Sequence, residues 1–238
     1  MRAPTPSGRE RPEPGWFGGA NGVESDARRF AALWDRCIPS PPARDGADVY
    51  GELQRRYEAP YRHFHNIAHI RDCVRRVDEV APLLVDPDAV ELALWFHDVV
   101  YDVGTATNER RSAEMFLALS PGARFALRHR VCSLIMATRH ARSVHGNDRR
   151  FIVDIDLSGF GAPWDDFMRN GACLREESAA LTDAQYHAGQ VSFLQRLQRR
   201  ARLYATDYFR DRYEAVAREN LRRILERLAQ QGYASATR

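Results

Sequence analysis

The sequence predicts an all-α fold, and three observations carry that expectation. Apolar residues recur at three- and four-residue spacing along almost the whole chain, the period of one buried helix face. Strand-like runs are confined to Phe151-Ile152-Val153, which can equally be a buried turn of helix. The 238 residues are 44% hydrophobic and 28% charged, the composition of a globular chain long enough to bury a sizeable core.

Taken in order, residues 1–22 are rich in Pro, Gly and charge and read as a disordered tail, leaving 23–235 as a single helical domain. The first helical stripe is Phe30, Leu33, Trp34 and Cys37, closed by the break Pro39-Ser40-Pro41-Pro42. Val49, Leu53 and Tyr57 form the second stripe, and Ile70, Val74 and Val77 the third. Val90 and Leu94 continue to His97, which therefore points inward. Ala113, Phe116 and Leu117 follow, then Leu127, Val131, Leu134 and Thr138. The stretches 182–204 and 209–229 are helical, anchored by Phe193, Leu194 and Leu197 and by Val216, Leu221, Ile224 and Leu228. Tyr186, Tyr204, Tyr208 and Tyr213 fall on the same stripes and read as core.

Composition also excludes function classes. The net charge is +3, and every basic residue is arginine. The pairs Arg75-Arg76, Arg110-Arg111, Arg149-Arg150, Arg199-Arg200 and Arg222-Arg223 are scattered, as solvated helix faces are, so nucleic acid is not the expected partner. Cys37, Cys73, Cys132 and Cys173 form no CxxC pair and read as buried free thiols. No apolar run is long enough to cross a membrane, and the first 22 residues lack an apolar signal core, so the expected location is the cytoplasm.

Three segments carry chemistry. In YRHFHNIAHIRD (61–72), His65 and His69 are four apart and would share one face of a helix. In LALWFHDVVYD (92–102), the pair His97-Asp98 ends an apolar helix. A buried carboxylate beside a buried imidazole is costly without a partner, and a divalent cation is the partner that prefers those ligands. In FIVDIDL (151–157), Asp154 and Asp156 sit among apolar residues. One can serve as a ligand while the other caps a helix or orients a ligand from outside.

The order His69, His97-Asp98, Asp156 resembles the H…HD…D signature of the HD superfamily of metal-dependent phosphohydrolases. The flanks RHFHNIAHI, WFHDVVYD, NERRSAE, IMATRH and DIDLSGFG look like a bacterial branch of predicted HD phosphohydrolases, over roughly residues 25–230. The first motif is also similar to the YHNxxHxxD element of cyclic-nucleotide phosphodiesterases, met as Phe64-His65-Asn66, His69 and Asp72, with Phe64 in place of the tyrosine. The resemblance implies an HD-domain helical bundle whose first ligands are His69, His97, Asp98 and Asp156, with Asp156 preferred to Asp154. It implies one or two divalent ions (Mn, Mg, Fe or Zn) and a small phosphorylated substrate such as a nucleotide.

His65 matches the phosphodiesterase histidine that protonates the leaving oxygen, and Arg62 is a surface arginine or a phosphate ligand. Glu109 shares a face with Ala113 and Phe116 and so should face the core. There it can be a general base, hold a second ion through water, or cap a helix. Asp102, four residues past Asp98, is a candidate second layer around the ion; His140 can join a second-ion site or end a helix. Relatives carry an Arg-Glu-Tyr element that here reads Arg175-Glu176-Glu177-Ser178, a departure that bears on substrate choice. Two alternatives to the hydrolase stand beside it: a non-catalytic nucleotide- or metal-binding module, and a di-iron oxygenase on the same fold.

Overall fold

A computed structural model describes residues 20–39, 44–141 and 144–233. The tail assigned to 1–22 lies outside these residues up to 19. Ala20, Asn21 and Gly22 are already helical, so helix α1 (Ala20–Cys37) starts inside the stretch given to the tail. Of the break Pro39-Ser40-Pro41-Pro42 only Pro39, just past the end of α1, is among the described residues, and the end of the expected domain beyond 233 lies outside them.

All regular structure among the described residues is helical. After α1 come α2 (Gly46–Tyr57), α3 (Ile67–Val80), α4 (Pro87–Phe96), α5 (Asn108–Leu119), α6 (Phe125–Ala137) and α7 (Asn147–Asp156). Then follow α8 (Trp164–Glu177), α9 (Asp183–Gln198) and α10 (Asp207–Gln230). The run Phe151-Ile152-Val153 is a buried stretch of α7, so the strand alternative falls away.

Helix α4 is the centre of the core. Pro87 at its first position lacks the N–H that a first turn cannot use, and the Asp86 side chain accepts from the Ala89 N–H. From Ala89 to Phe96 every residue is buried, which is why this helix is apolar all round where a surface helix would be striped. It packs against α1, α3, α5, α6 and α7. Phe30 from α1 meets Trp95 edge-on, ring centroids 5.5 Å apart, and Phe96 meets Phe116 of α5 at 5.2 Å, the offset geometry aromatic quadrupoles prefer. The one buried acid on this helix, Glu91, is paired with Arg29 at 2.7 Å.

Helix α10 closes the other side. It packs on α9 and on the 3-10 segment Leu157–Gly161 that follows α7. The approach is close enough that a Cβ on Gly161 would lie 2.6 Å from the Cβ of Tyr213, so only glycine fits there. Val216, expected as an apolar anchor of this helix, is 43% exposed. Its neighbour Ala217 enters the core instead.

The consequence for the site is geometric. Helices α3, α4 and α7 pack on one another, and the start of α3 and the ends of α4 and α7 meet.

Candidate metal centre

Each corner of the site is built by a local rule. Asn66 is the N-cap of α3: its side-chain oxygen accepts from the Ala68 N–H at 2.9 Å and the His69 N–H at 3.4 Å. That cap places His69 in the first turn of the helix. It also corrects the expectation that His65 and His69 share a helical face. His65 precedes the cap, so it reaches the site from a loop.

His97 caps the C-terminus of α4 and its Nδ1 donates to the carbonyl of Leu94 at 2.8 Å. With the proton fixed on Nδ1, the Nε2 lone pair is left facing the cluster, the arrangement seen in metal-binding histidines. Asp156 is the last residue of α7.

These parts converge. His97 Nε2 lies 3.0 Å from Asp98 Oδ2, 3.4 Å from Asp156 Oδ1 and 3.4 Å from His69 Nε2. His69 Nε2 lies 3.6 Å from Asp98 Oδ2 and 3.4 Å from Asp156 Oδ1. Two donors each about 2.1 Å from one ion stand roughly 3.0 Å apart at a right angle and roughly 3.4 Å apart at the tetrahedral angle. The separations therefore fit a single small cation between these side chains.

His69, Cys73, His97 and Asp156 also form a group that can hold an ion, their donor atoms within 4.8 Å of one another. The sulfur is the weaker member. Cys73 Sγ lies 3.7 Å from Nε2 and 4.0 Å from Nδ1 of His69, so it sits alongside the ring and not in line with the Nε2 lone pair. Asp98 faces both imidazoles more directly, and burial raises the Cys73 thiol pKa well above its ordinary value.

Electrostatics point the same way. Burial opposes charge on Asp98, but the imidazoles of His97 and His65 outweigh it and hold the carboxyl below its ordinary range. Burial likewise opposes charge on Asp156, and hydrogen bonds from His140, His69 and His97 hold it far down. Burial lowers His97, yet the Asp98 carboxylate and hydrogen bonds to Asp156 and Asp98 raise it well above 6.5. Two carboxylates stay ionised in a mostly buried place, and they need positive charge from protonated imidazole or from a cation.

No family model, curated protein or solved structure matches this chain. The site is therefore read from its own chemistry.

The remaining candidates divide. Asp154 turns away from the cluster. It accepts from the Ala205 N–H, the Thr206 N–H and the Thr206 hydroxyl at 2.8, 2.8 and 2.7 Å, tying α7 to the start of α10, and burial pushes its carboxyl up. His140 comes to the cluster, its Nε2 2.7 Å from Asp156 Oδ2. Glu109 does not enter the core as expected. It lies in the first turn of α5, where its carboxylate is 3.8 Å from the Arg139 guanidinium, while Ala113 and Phe116 further along carry the buried face. Asp102 is exposed and paired with Arg111, so it is no second layer for the ion.

Arg62, read as a surface arginine or phosphate ligand, is neither. It is 7% exposed, and its guanidinium donates to the carbonyls of His65 (2.9 Å), Asp98 (2.8 Å) and Val99 (3.1 Å), joining the first motif to the second. Packing against the rings of Tyr57 and Tyr101 covers the rest of it.

One residue was named in the sequence only as part of a departure from a motif and given no role. Glu177, at the end of α8, has a side chain only 1% exposed; its Oε2 lies 2.6 Å from His65 Nδ1, and its Oε1 accepts from the N–H groups of Phe64 and His65. Tyr101 stacks on the other side of the His65 ring, centroids 3.9 Å apart. The only hint in the sequence was that position 177 breaks the Arg-Glu-Tyr element.

Proposed function

We propose that this chain is a metal-dependent phosphohydrolase of the HD superfamily, acting on a phosphate ester of a small molecule such as a nucleotide. One observation carries the reading: two imidazole nitrogens from separate segments stand 3.4 Å apart, and each lies 3.0 to 3.6 Å from both the Asp98 and the Asp156 carboxylate. The motif order His69, His97-Asp98, Asp156 supports it independently.

His69, His97, Asp98 and Asp156 would hold the ion. Two imidazoles in the set favour Mn, Fe or Zn over Mg, which prefers oxygen. A bound divalent ion lowers the pKa of a water and polarises a phosphoryl oxygen. His65 then has the other half of the chemistry. Glu177 holds its Nδ1 and Tyr101 packs on the ring, an orientation that leaves Nε2 as the atom to give a proton to the leaving oxygen. Glu109 has no part in this scheme.

The test loads the protein with Mn, Fe, Zn and Mg in turn and follows phosphate release from a panel of monoesters, diesters and nucleotides. Release that depends on the ion and falls at least a hundredfold in Asp98→Ala, with helical circular dichroism retained, is the expected result. No release from any member with any ion would sink the reading.

A further inference from the structure

The segment between α6 and α7 holds a residue with two local costs and no role so far. His140 has φ +53°; among the described residues it is the only non-glycine in the left-handed region, which a branched or bulky side chain rarely adopts. Its Nδ1 is also buried without a hydrogen-bond partner. Strain and an orphaned nitrogen at one position persist only where surrounding structure enforces them, and they collect at functional sites.

The enforcing contact is visible. Arg200, four residues before Tyr204 and remote in sequence, donates from Nη2 to the His140 carbonyl at 2.9 Å. The Arg200 carbonyl is in turn held by Arg218 of α10 at 2.8 Å. The backbone of His140 is thus clamped from the α9–α10 junction. Its imidazole is delivered to Asp156 Oδ2 at 2.7 Å, while Asp156 Oδ1 faces His69 and His97. The two oxygens of one carboxylate have separate jobs.

We infer that His140 is a positioning residue: clamped by Arg200, it grips the outer oxygen of Asp156 and so aims the inner oxygen at the cation. This rests on the metal-centre reading above. It differs from the expectation of a second-ion ligand, because the nitrogen nearest the cluster is already spent on Asp156. Partners of this kind, behind a ligand, typically change metal affinity ten- to a hundredfold when removed.

The experiment measures Mn²⁺ affinity calorimetrically and the visible spectrum of the Co²⁺-loaded protein. His140→Gly keeps the backbone free to adopt φ +53° and removes the imidazole. It should weaken Mn²⁺ binding about ten- to a hundredfold. His140→Gln, which keeps an N–H donor at the reach of Nε2, should recover part of that loss. The shape of the cobalt spectrum should not change in either, since no ligand is removed.

Arg200→Met leaves every side chain of the cluster intact and should still weaken binding several-fold, which guards against a misfolded glycine variant. Undiminished Mn²⁺ affinity in both His140→Gly and Arg200→Met would overturn the inference and leave the metal centre standing. A cobalt spectrum showing a lost nitrogen ligand in His140→Gly would also overturn it. Failure of the unaltered protein to bind Mn²⁺ or Co²⁺ would instead remove the metal-centre reading beneath it.

Discussion

The ends of α4 and α7 deliver the same kind of group to the same point by opposite means. At the end of α4 the support is local: His97 is oriented by the carbonyl of Leu94, three residues back, and Asp98 follows directly. At the end of α7 the support is distant: Asp156 is held by His140, sixteen positions away, and His140 is fixed by Arg200, sixty further on. The difference teaches where a metal centre keeps its precision. Both ligands end buried stretches of helix, yet His97 takes its orientation from a carbonyl of its own helix and Asp156 borrows its orientation from elsewhere in the fold.

The comparison can be broken most sharply within α7 itself, where Asp154 and Asp156 are two residues apart with different partners. Asp156→Asn should abolish tight Mn²⁺ binding, and with it any metal-dependent phosphate release. Asp154→Ala should act on stability instead. It strands the Ala205 N–H, the Thr206 N–H and the Thr206 hydroxyl, at a cost of about 1–3 kcal/mol read from urea unfolding, and leaves Mn²⁺ affinity in place. If the two substitutions had the same profile, the division of labour along α7 would be wrong.

A smaller effect is expected at Glu177, another distant support. Glu177→Gln should lower kcat about ten- to a hundredfold by unsettling His65, with metal affinity unchanged, because Glu177 touches His65 and none of the four ligands. Equal loss of metal and activity would place Glu177 in the metal centre instead.

The smallest effect is in stability against pH. His97 is raised above its ordinary 6.5 in the metal-free protein, so its contribution is complete below 6.5 and is lost as pH rises through the higher folded value. Asp98 and Asp156 lie below their ordinary 3.8, so their contribution is complete above 3.8 and is lost as pH falls through the lower folded values. Metal-free protein should therefore melt highest between these limits and lose Tm as the solution is made alkaline. Loading with Mn²⁺ should flatten the alkaline side, since the cation replaces the His97 proton. A metal-free Tm that climbs steadily above pH 7 would contradict that charge balance.

How much of this was legible follows from the same contrast. The all-helical fold and the inward turn of His97 are written in local periodicity, because an apolar stripe and a helix end are properties of neighbouring residues. Asp156 and Asp154 were both visible as acids among apolar residues, but their separate tasks depend on His140 and Thr206, which no spacing reveals. The contact of Glu177 with His65 was invisible because LREES reads as a solvated helix end; only tertiary packing of α8 against the first motif buries the side chain. Arg62 and Glu109 were misplaced for related reasons. An arginine before a loop looks solvated until three carbonyls converge on it, and a helical face predicts the interior only where another helix covers it.

The Arg62 guanidinium has a consequence for how the molecule moves. One rigid, planar group spans the carbonyls of residues 65, 98 and 99, so the loop carrying Arg62 and His65 cannot separate from the turn carrying Asp98 without breaking two bonds at once. The proposed proton donor and the proposed carboxylate ligand therefore ride on one stiff platform. Any breathing that admits a substrate must come from the walls facing that platform.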